Sequence, residues 1–200
     1  MISGIVLAAG RSTRMGRPKA LLPLAGRPML QHVLDAAEAS PLDEVVVVLG
    51  PDAGEVWAAL RPGPRTRAAV NPRAAEGQST SLHAGLRAVD VDAEAAVVLL
   101  GDQPEIRPDA LGAVIETFRR GRGPVVQAVY GGRPGHPLLF ARDAWPDLEA
   151  ASGDEGARSV LAASPSRVQR VEVGGEPPED VDTEDDYVRI RTRIEEGGSA

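Results

Sequence analysis

The sequence predicts an α/β protein with a Rossmann-like three-layer α/β/α fold around a mainly parallel sheet. Three observations predict it. Short aliphatic runs alternate with segments of helical periodicity, which is the signature of βαβ units. The runs within Glu44–Leu49 and Ala95–Leu100 are apolar without alternation, as in strands covered by helices on both faces. Gly10, Asn71 and Asp102 each follow a strand-like run. In an open parallel sheet the carboxyl ends of the strands share one edge, and ligands bind beyond it.

The elements follow in order. Residues 2–9 read as a first strand and residues 28–39 as a helix. Pro28 suits the first turn, where its missing N–H is no loss. Residues 44–49 read as a strand, 53–60 as a short helix, 66–70 as a strand and 79–89 as a helix. Residues 95–100 form the next strand, and 108–119 a helix with proline at its start. The second half is less regular. Strands are expected over 124–129, 137–140 and 167–173, a helix over 156–163, and a last helix from about Glu184. No internal repeat or long linker divides the chain, so residues 1–196 are expected to form one domain and 197–200 a frayed tail.

Composition narrows the class. A length of 200 residues suits one domain with a substantial core. Aromatics are only 3%, so that core must be built from aliphatic side chains. The net charge of -7 disfavours a general nucleic-acid binder, because affinity for a phosphate backbone needs a basic surface. There is no cysteine, which excludes disulfides, zinc-thiolate sites and cysteine nucleophiles. No apolar run approaches the ~20 residues of a membrane span. The run at residues 4–9 is too short for a signal sequence and is followed by charge. A cytoplasmic location is expected.

Against this acidic background the stretch from Ile5 to Lys19 stands out. Leu7-Ala8-Ala9-Gly10 ends the first strand, and Arg11, Ser12, Arg14, Gly16, Arg17 and Lys19 follow in a glycine-punctuated basic loop. Such a loop brings backbone N–H groups and fixed positive charge onto a polyphosphate. Gly10 and Gly16 allow a close approach that a Cβ would block. Neither G-x-x-x-x-G-K-[ST] nor G-x-G-x-x-G is present, so a buried strand with an ordinary surface loop fits the spacing too.

Asp102 ends an otherwise apolar strand and faces the same edge as that loop, as a Mg²⁺ ligand or as a loop-capping aspartate. Asp180 and Asp182 alternate onto one face of an extended stretch, as a second carboxylate site or as part of a solvated acidic surface. Thr183 with Glu184, Asp185 and Asp186 has the form of a helix N-cap followed by an acidic first turn. The segment from Asn71 to Gly85, with Gly77, Ser79, Thr80 and Ser81, opens a helix with small polar residues able both to cap it and to read a base edge. His136 lies between Gly135 and Pro137 in what reads as a sharp loop before a strand.

Several blocks together resemble the nucleotidyltransferases of the molybdenum cofactor type. They are Leu7-Ala8-Ala9-Gly10 through Arg14-Met15-Gly16 and Lys19, then Gly101-Asp102-Gln103-Pro104 and Gly135-His136-Pro137. Gly153-Asp154-Glu155-Gly156-Ala157-Arg158 and Asp180-Val181-Asp182-Thr183 complete the set in the family's order. The resemblance implies transfer of a nucleoside monophosphate from an NTP to a phosphate ester, with release of pyrophosphate. It implies nucleotide binding by Leu7, Ala8, Ala9, Gly10, Arg11, Ser12, Arg14, Gly16, Lys19, Asn71, Gly77, Ser81 and Asp102. Lys19, Arg14 and Asp102 would carry the reaction, and Asp102 and Asp182 would hold Mg²⁺, with Asp180 the less favoured second carboxylate. Gln103, Pro104, His136 and Arg158 fall on the acceptor side, although Arg158 could instead pair with Asp154 or Glu155.

The resemblance is closest to the cytidylyltransferases that join CTP to the molybdopterin phosphate, because Ala8-Ala9-Gly10 replaces the Ala-Gly-Gly common in the guanylyl branch. GTP as donor, another small phosphate ester as acceptor, and a non-catalytic protein that delivers a cofactor to a molybdoenzyme remain the alternatives. The paired carboxylates weigh against the last, since a carrier has no need of them.

Overall fold

The structure is a computed structural model that describes residues 1–10, 18–121, 123–154 and 156–197. Its axis is β1 (Ile2–Ala8), which pairs in parallel with β4 (Glu44–Leu49) on one side and β6 (Ala95–Leu100) on the other. Outside β4 runs β5 (Thr66–Val70), also parallel. Beyond β6 come β8 (Arg133–Ala141), β7 (Val125–Tyr130) and β9 (Val168–Glu172). The order of this seven-stranded sheet is β5-β4-β1-β6-β8-β7-β9. β8 is antiparallel to both neighbours, whereas β7 and β9 are parallel. The order reverses at β1 and β6, which places the crevice beyond their carboxyl ends.

Two-residue periodicity sends alternate side chains of the sheet to opposite faces. Val6, Val47, Leu49, Val97 and Leu99 pack on one face beneath α1 (Met29–Glu38), α2 (Ala53–Ala59) and α4 (Pro108–Arg119). Ile5, Val46, Val48, Ala96 and Val98 pack on the other, beneath α3 (Gln78–Ala88), α5 (Trp145–Glu149) and α6 (Gly156–Ala163). These are the three layers expected. A third, small cluster joins the short hairpin of β2 (Pro23–Leu24) and β3 (Arg27–Pro28) to α7 (Glu184–Gly197) through Leu22, Leu24, Met29, Val181, Tyr187 and Ile190.

Several boundaries differ from the sequence reading. Pro28 precedes α1 as its cap residue, so the helix starts one residue later than expected. The strand expected over 137–140 is the end of the longer β8, because the Gly131–Gly132 turn folds it back on β7 from Arg133 onward. His136 therefore lies in a strand and not in a loop before one. The pairing shifts between Gln127 and Ala128, which leaves His136 and Pro137 as an irregularity in the ladder. α5 and the β2–β3 hairpin were not foreseen; each is too short to show a period. Gly197, expected in the tail, is the last residue of α7, and 198–200 lie outside the described residues.

Candidate active site

The ends of β1 and β6 are locked together where the crevice opens. Gly101 N–H donates to Leu7 O at 2.9 Å. A Cβ on Gly101 would stand 2.7 Å from the Ala8 Cβ, so only glycine lets these strand ends come so close. Asp102 then leaves the strand, and its carbonyl accepts from Val181 N–H at 3.0 Å. That bond brings the late segment 180–182 alongside the end of β6.

Lys19 begins a short 3-10 turn over Lys19–Leu21. Its Nζ donates to Asp102 Oδ2 at 2.8 Å and to Asp182 Oδ1 at 3.0 Å. Burial alone would lower the Lys19 pKa, but the charges and hydrogen bonds of Asp102 and Asp182 outweigh it and hold the ammonium above its ordinary value. The sequence-predicted cation and both favoured carboxylates thus meet at one point. Asp180 turns to Gln103, whose side-chain N–H donates to Asp180 Oδ1 at 2.8 Å. Its pKa is raised, first by burial and then by the charge of Asp102.

A cavity of about 290 Å³ adjoins this triad. Leu7, Ala8, Ala9, Gly10, Lys19, Ser81 and Asp102, all expected at a nucleotide site, line it. Among the described residues, a Cβ on Gly10 would meet nothing within 4 Å. Asn71 stands behind the wall. It is 3% exposed, and its Nδ2 donates to both Thr80 Oγ1 and Ser81 Oγ at 2.9 Å. Because Ser81 Oγ already accepts from Asn71, its own proton is aimed to donate.

Gly77 precedes α3 with φ +120°, and a Cβ there would lie 2.6 Å from the Gly153 backbone. It has no side chain to cap the helix, so the chain around residue 153 does so. Ser79 N–H donates to Gly153 O at 3.0 Å, and Gln78 N–H to Asp154 Oδ1 at 3.3 Å. Gln78, Ala74, Met29 and Asp154 also line the cavity. Sequence reasoning did not place them there. The Gly153-Asp154 pair was visible, but only the fold shows that it meets the start of α3.

Of the four residues that the resemblance puts on an acceptor side, Gln103 and Arg158 act on Asp180. Gln103 and Pro104 are buried, with Gln103 committed to Asp180. His136 is partly buried, and its pKa is pushed down to about 4, chiefly by burial and then by the charge of Arg158. Its carbonyl accepts from Tyr130 Oη at 2.6 Å. Arg158 is exposed and acts electrostatically on both His136 and Asp180. Among the described residues it forms no ion pair, so the pairing with Asp154 is not made. Arg11, Ser12, Arg14, Gly16, Arg17 and Glu155 lie outside the described residues.

Hard oxygen donors on either side of a cation fit a divalent metal ion such as Mg²⁺. Among the described residues no three His, Asp or Glu side chains converge to hold a metal ion unaided. Asp102 and Asp182 would therefore share such an ion with substrate oxygens, as Mg²⁺ sites with one or two carboxylates do. Among the described residues no helix is long and apolar enough to cross a membrane.

Residues 4–171 match the model of the MobA-like NTP transferase domain. Asp180, Asp182 and α7 lie beyond that match. The chain is 33% identical over 199 residues to nicotine blue oxidoreductase of Paenarthrobacter nicotinovorans, covering 94% of this chain and 96% of the relative. It is 33% identical over 202 residues to the purine catabolism protein PucB of Bacillus subtilis, covering 94% and 95%. The fold is similar to the crystal structure of Rv0371c from Mycobacterium tuberculosis, with TM-score 0.86, 34% identity, and coverage of 96% and 97%. Rv0371c has also been solved in complex with manganese, where TM-score is 0.80, identity 32%, and coverage 96% and 97%.

Proposed function

Because the chain belongs to the MobA-like NTP transferase family, we propose that it is a cytidylyltransferase acting on a molybdopterin-type cofactor. Residues 1–196 act as one domain, in the cytoplasm, with Mg²⁺ as the working metal ion. The observation that carries this reading is the Lys19 ammonium held between Asp102 and Asp182 at the end of the β1–β6 crevice.

An oxygen of the cofactor phosphate attacks the α-phosphorus of CTP in line. The new P–O bond forms as the bond from the α-phosphorus to the β-phosphate oxygen breaks, and pyrophosphate leaves. Charge develops on that leaving group, and Lys19, with Arg14 from the basic loop, is suited to receive it. Asp102 and Asp182 would hold Mg²⁺, which supplies charge neutralisation on the phosphate oxygens when bound. Ala8, Ala9, Ser81 and Gln78 line the cavity, and there the backbone around Ala8 and Ala9 and the Ser81 hydroxyl would face the base. Gln103, His136 and Arg158 face the acceptor, with Arg158 as a bidentate partner for its phosphate.

The molybdenum-linked role rests on the motif resemblance and on membership of the MobA-like family, since the names of the relatives do not mention it. One of them is named an oxidoreductase, yet this chain lacks the G-x-G-x-x-G dinucleotide fingerprint and carries a cation flanked by carboxylates instead. A transient molybdoenzyme partner would receive the product.

The test is pyrophosphate release with Mg²⁺ and either CTP or GTP, with and without isolated molybdenum cofactor. The expected result is release that requires CTP and cofactor and collapses in Asp102→Asn. Release with GTP alone moves the protein to the guanylyl reaction. Tight nucleotide binding without release, with any acceptor, removes the catalytic reading.

A further inference from the structure

α7 joins the parts of the site that lie farthest apart in the chain. Thr183, directly after Asp182, caps it. Asp186 N–H donates to Thr183 Oγ1 at 3.1 Å, and Thr183 N–H to Asp186 Oδ2 at 3.0 Å. Its apolar face packs Tyr187 and Ile190 against Leu22 and Val181. Leu22 follows the Lys19 turn, and Val181 separates Asp180 from Asp182.

Arg193 makes a further attachment. Its guanidinium grips Glu105 with two nitrogens, Nε at 2.6 Å from Oε1 and Nη2 on Oε2. Nη1 reaches Glu179 Oε1 at 3.1 Å. Glu105 lies just past Asp102 on the loop leaving β6, and Glu179 lies just before Asp180. One side chain thus holds both segments that carry the metal-site carboxylates.

Geometry makes this attachment consequential. The Val181–Asp102 backbone bond and the Gln103–Asp180 side-chain bond link the two segments at neighbouring residues, close to the carboxylates. The Arg193 link to Glu105 and Glu179 is displaced from both and limits rotation about them. An isolated exposed ion pair contributes little, but a two-pronged arginine shared between carboxylates has fixed direction. Arg189 reinforces it by donating to Glu179 Oε2 at 2.7 Å and Asp186 Oδ1 at 2.8 Å.

We propose that Arg193 is a positioning residue that sets the separation of Asp102 and Asp182, and through it the rate of nucleotidyl transfer. The inference rests on the function proposed above. It does not need Arg193 to touch substrate.

The test compares wild type with Arg193→Gln, Arg193→Lys, Glu105→Gln and the Arg193→Gln/Glu105→Gln double variant. Arg120→Gln, which removes an ion pair on α4, is the control. Each is assayed for kcat and KM in pyrophosphate release, for Mn²⁺ binding by EPR in the presence of a non-hydrolysable CTP analogue, and for Tm. Arg193→Gln is expected to lower kcat about tenfold and weaken Mn²⁺ binding several-fold, with the CTP KM changed less than about twofold. Arg193→Lys should recover part of both losses, because lysine keeps the charge without the fork. The double variant should be no worse than the worse single variant. A lowered Tm with unchanged kcat and Mn²⁺ affinity overturns the proposal, as do additive losses in the double variant. Wild type that releases no pyrophosphate counts against the functional reading alone, because the Mn²⁺ comparison still reads the separation of the carboxylates.

Discussion

Lys19 and Asp102 are 83 residues apart in sequence and 2.8 Å apart in space, Nζ to Oδ2. Asp182 closes on the same ammonium from the other side at 3.0 Å. The lysine therefore stands where a divalent cation bound by both carboxylates would have to compete with it. A polyphosphate that draws Lys19 away frees the two carboxylates at the same moment. Nucleotide and metal ion should consequently bind with positive coupling.

Lys19→Gln separates the two roles of this side chain. The variant is expected to lose about 10²–10³-fold in kcat, as when a charge stabiliser is removed from a leaving group. It should also bind Mn²⁺ more tightly than wild type when no nucleotide is present. EPR titration of free Mn²⁺ measures this, and an unchanged nucleotide-free affinity would refute the competition.

Gly77→Ala tests the seam between α3 and the chain at residue 153. The new Cβ would stand 2.6 Å from the Gly153 backbone, on a residue held at φ +120°. The strain is of order 1–3 kcal/mol, and the amides capped by Gly153 and Asp154 should be released with it. Urea unfolding should show the destabilisation, and hydrogen exchange should quicken at Gln78 and Ser79.

Asn71→Ala should act through Ser81 without touching the cavity. It leaves two hydroxyls without their donor, at a cost of about 1–3 kcal/mol. The freed Ser81 hydroxyl loses its aim, so the nucleotide KM should rise more than kcat falls. An unchanged KM would show that Ser81 is not a reading group.

His136 gives the fold a pH dependence of known sign. Its folded pKa of about 4 lies below the ordinary 6.5, so between those values the unfolded chain binds the extra proton. Stability from this group is complete above pH 6.5 and is lost as pH falls through about 4. The loss amounts to about 3 kcal/mol. Urea midpoints measured across this range should fall less steeply in His136→Asn. Parallel slopes in the two proteins would refute the shift.

The sheet was legible because its central strands are buried on both faces, and nothing but aliphatic side chains fits there. Lys19, Asp102 and the residues at the end of β1 were legible for a related reason. A charge or a glycine at the end of an apolar strand has few purposes, and the parallel topology gathers such ends at one edge. The reversal of β8 was not legible. Gly131-Gly132 is a turn signal, but the polar Arg133–His136 conceals the strand that follows it. The contact of Gly153 with Gly77 could not be read either, since it depends on how α6 packs and not on any local pattern. Asn71 was recognised, but its position behind Ser81 is a tertiary fact.

The two carboxylates that share Lys19 emerge from the ribosome at very different times. By the time Tyr130 has been made, β1, β4, β6 and the basic loop are all present, yet Asp182 and its brace are still to be translated. A nascent chain at that stage can hold apolar strands together but lacks one of the two carboxylates proposed to hold the metal ion. Competence for chemistry is deferred until α7 docks, so translation products that stop short of it should be folded in large part and inert toward the cell's nucleotide pool.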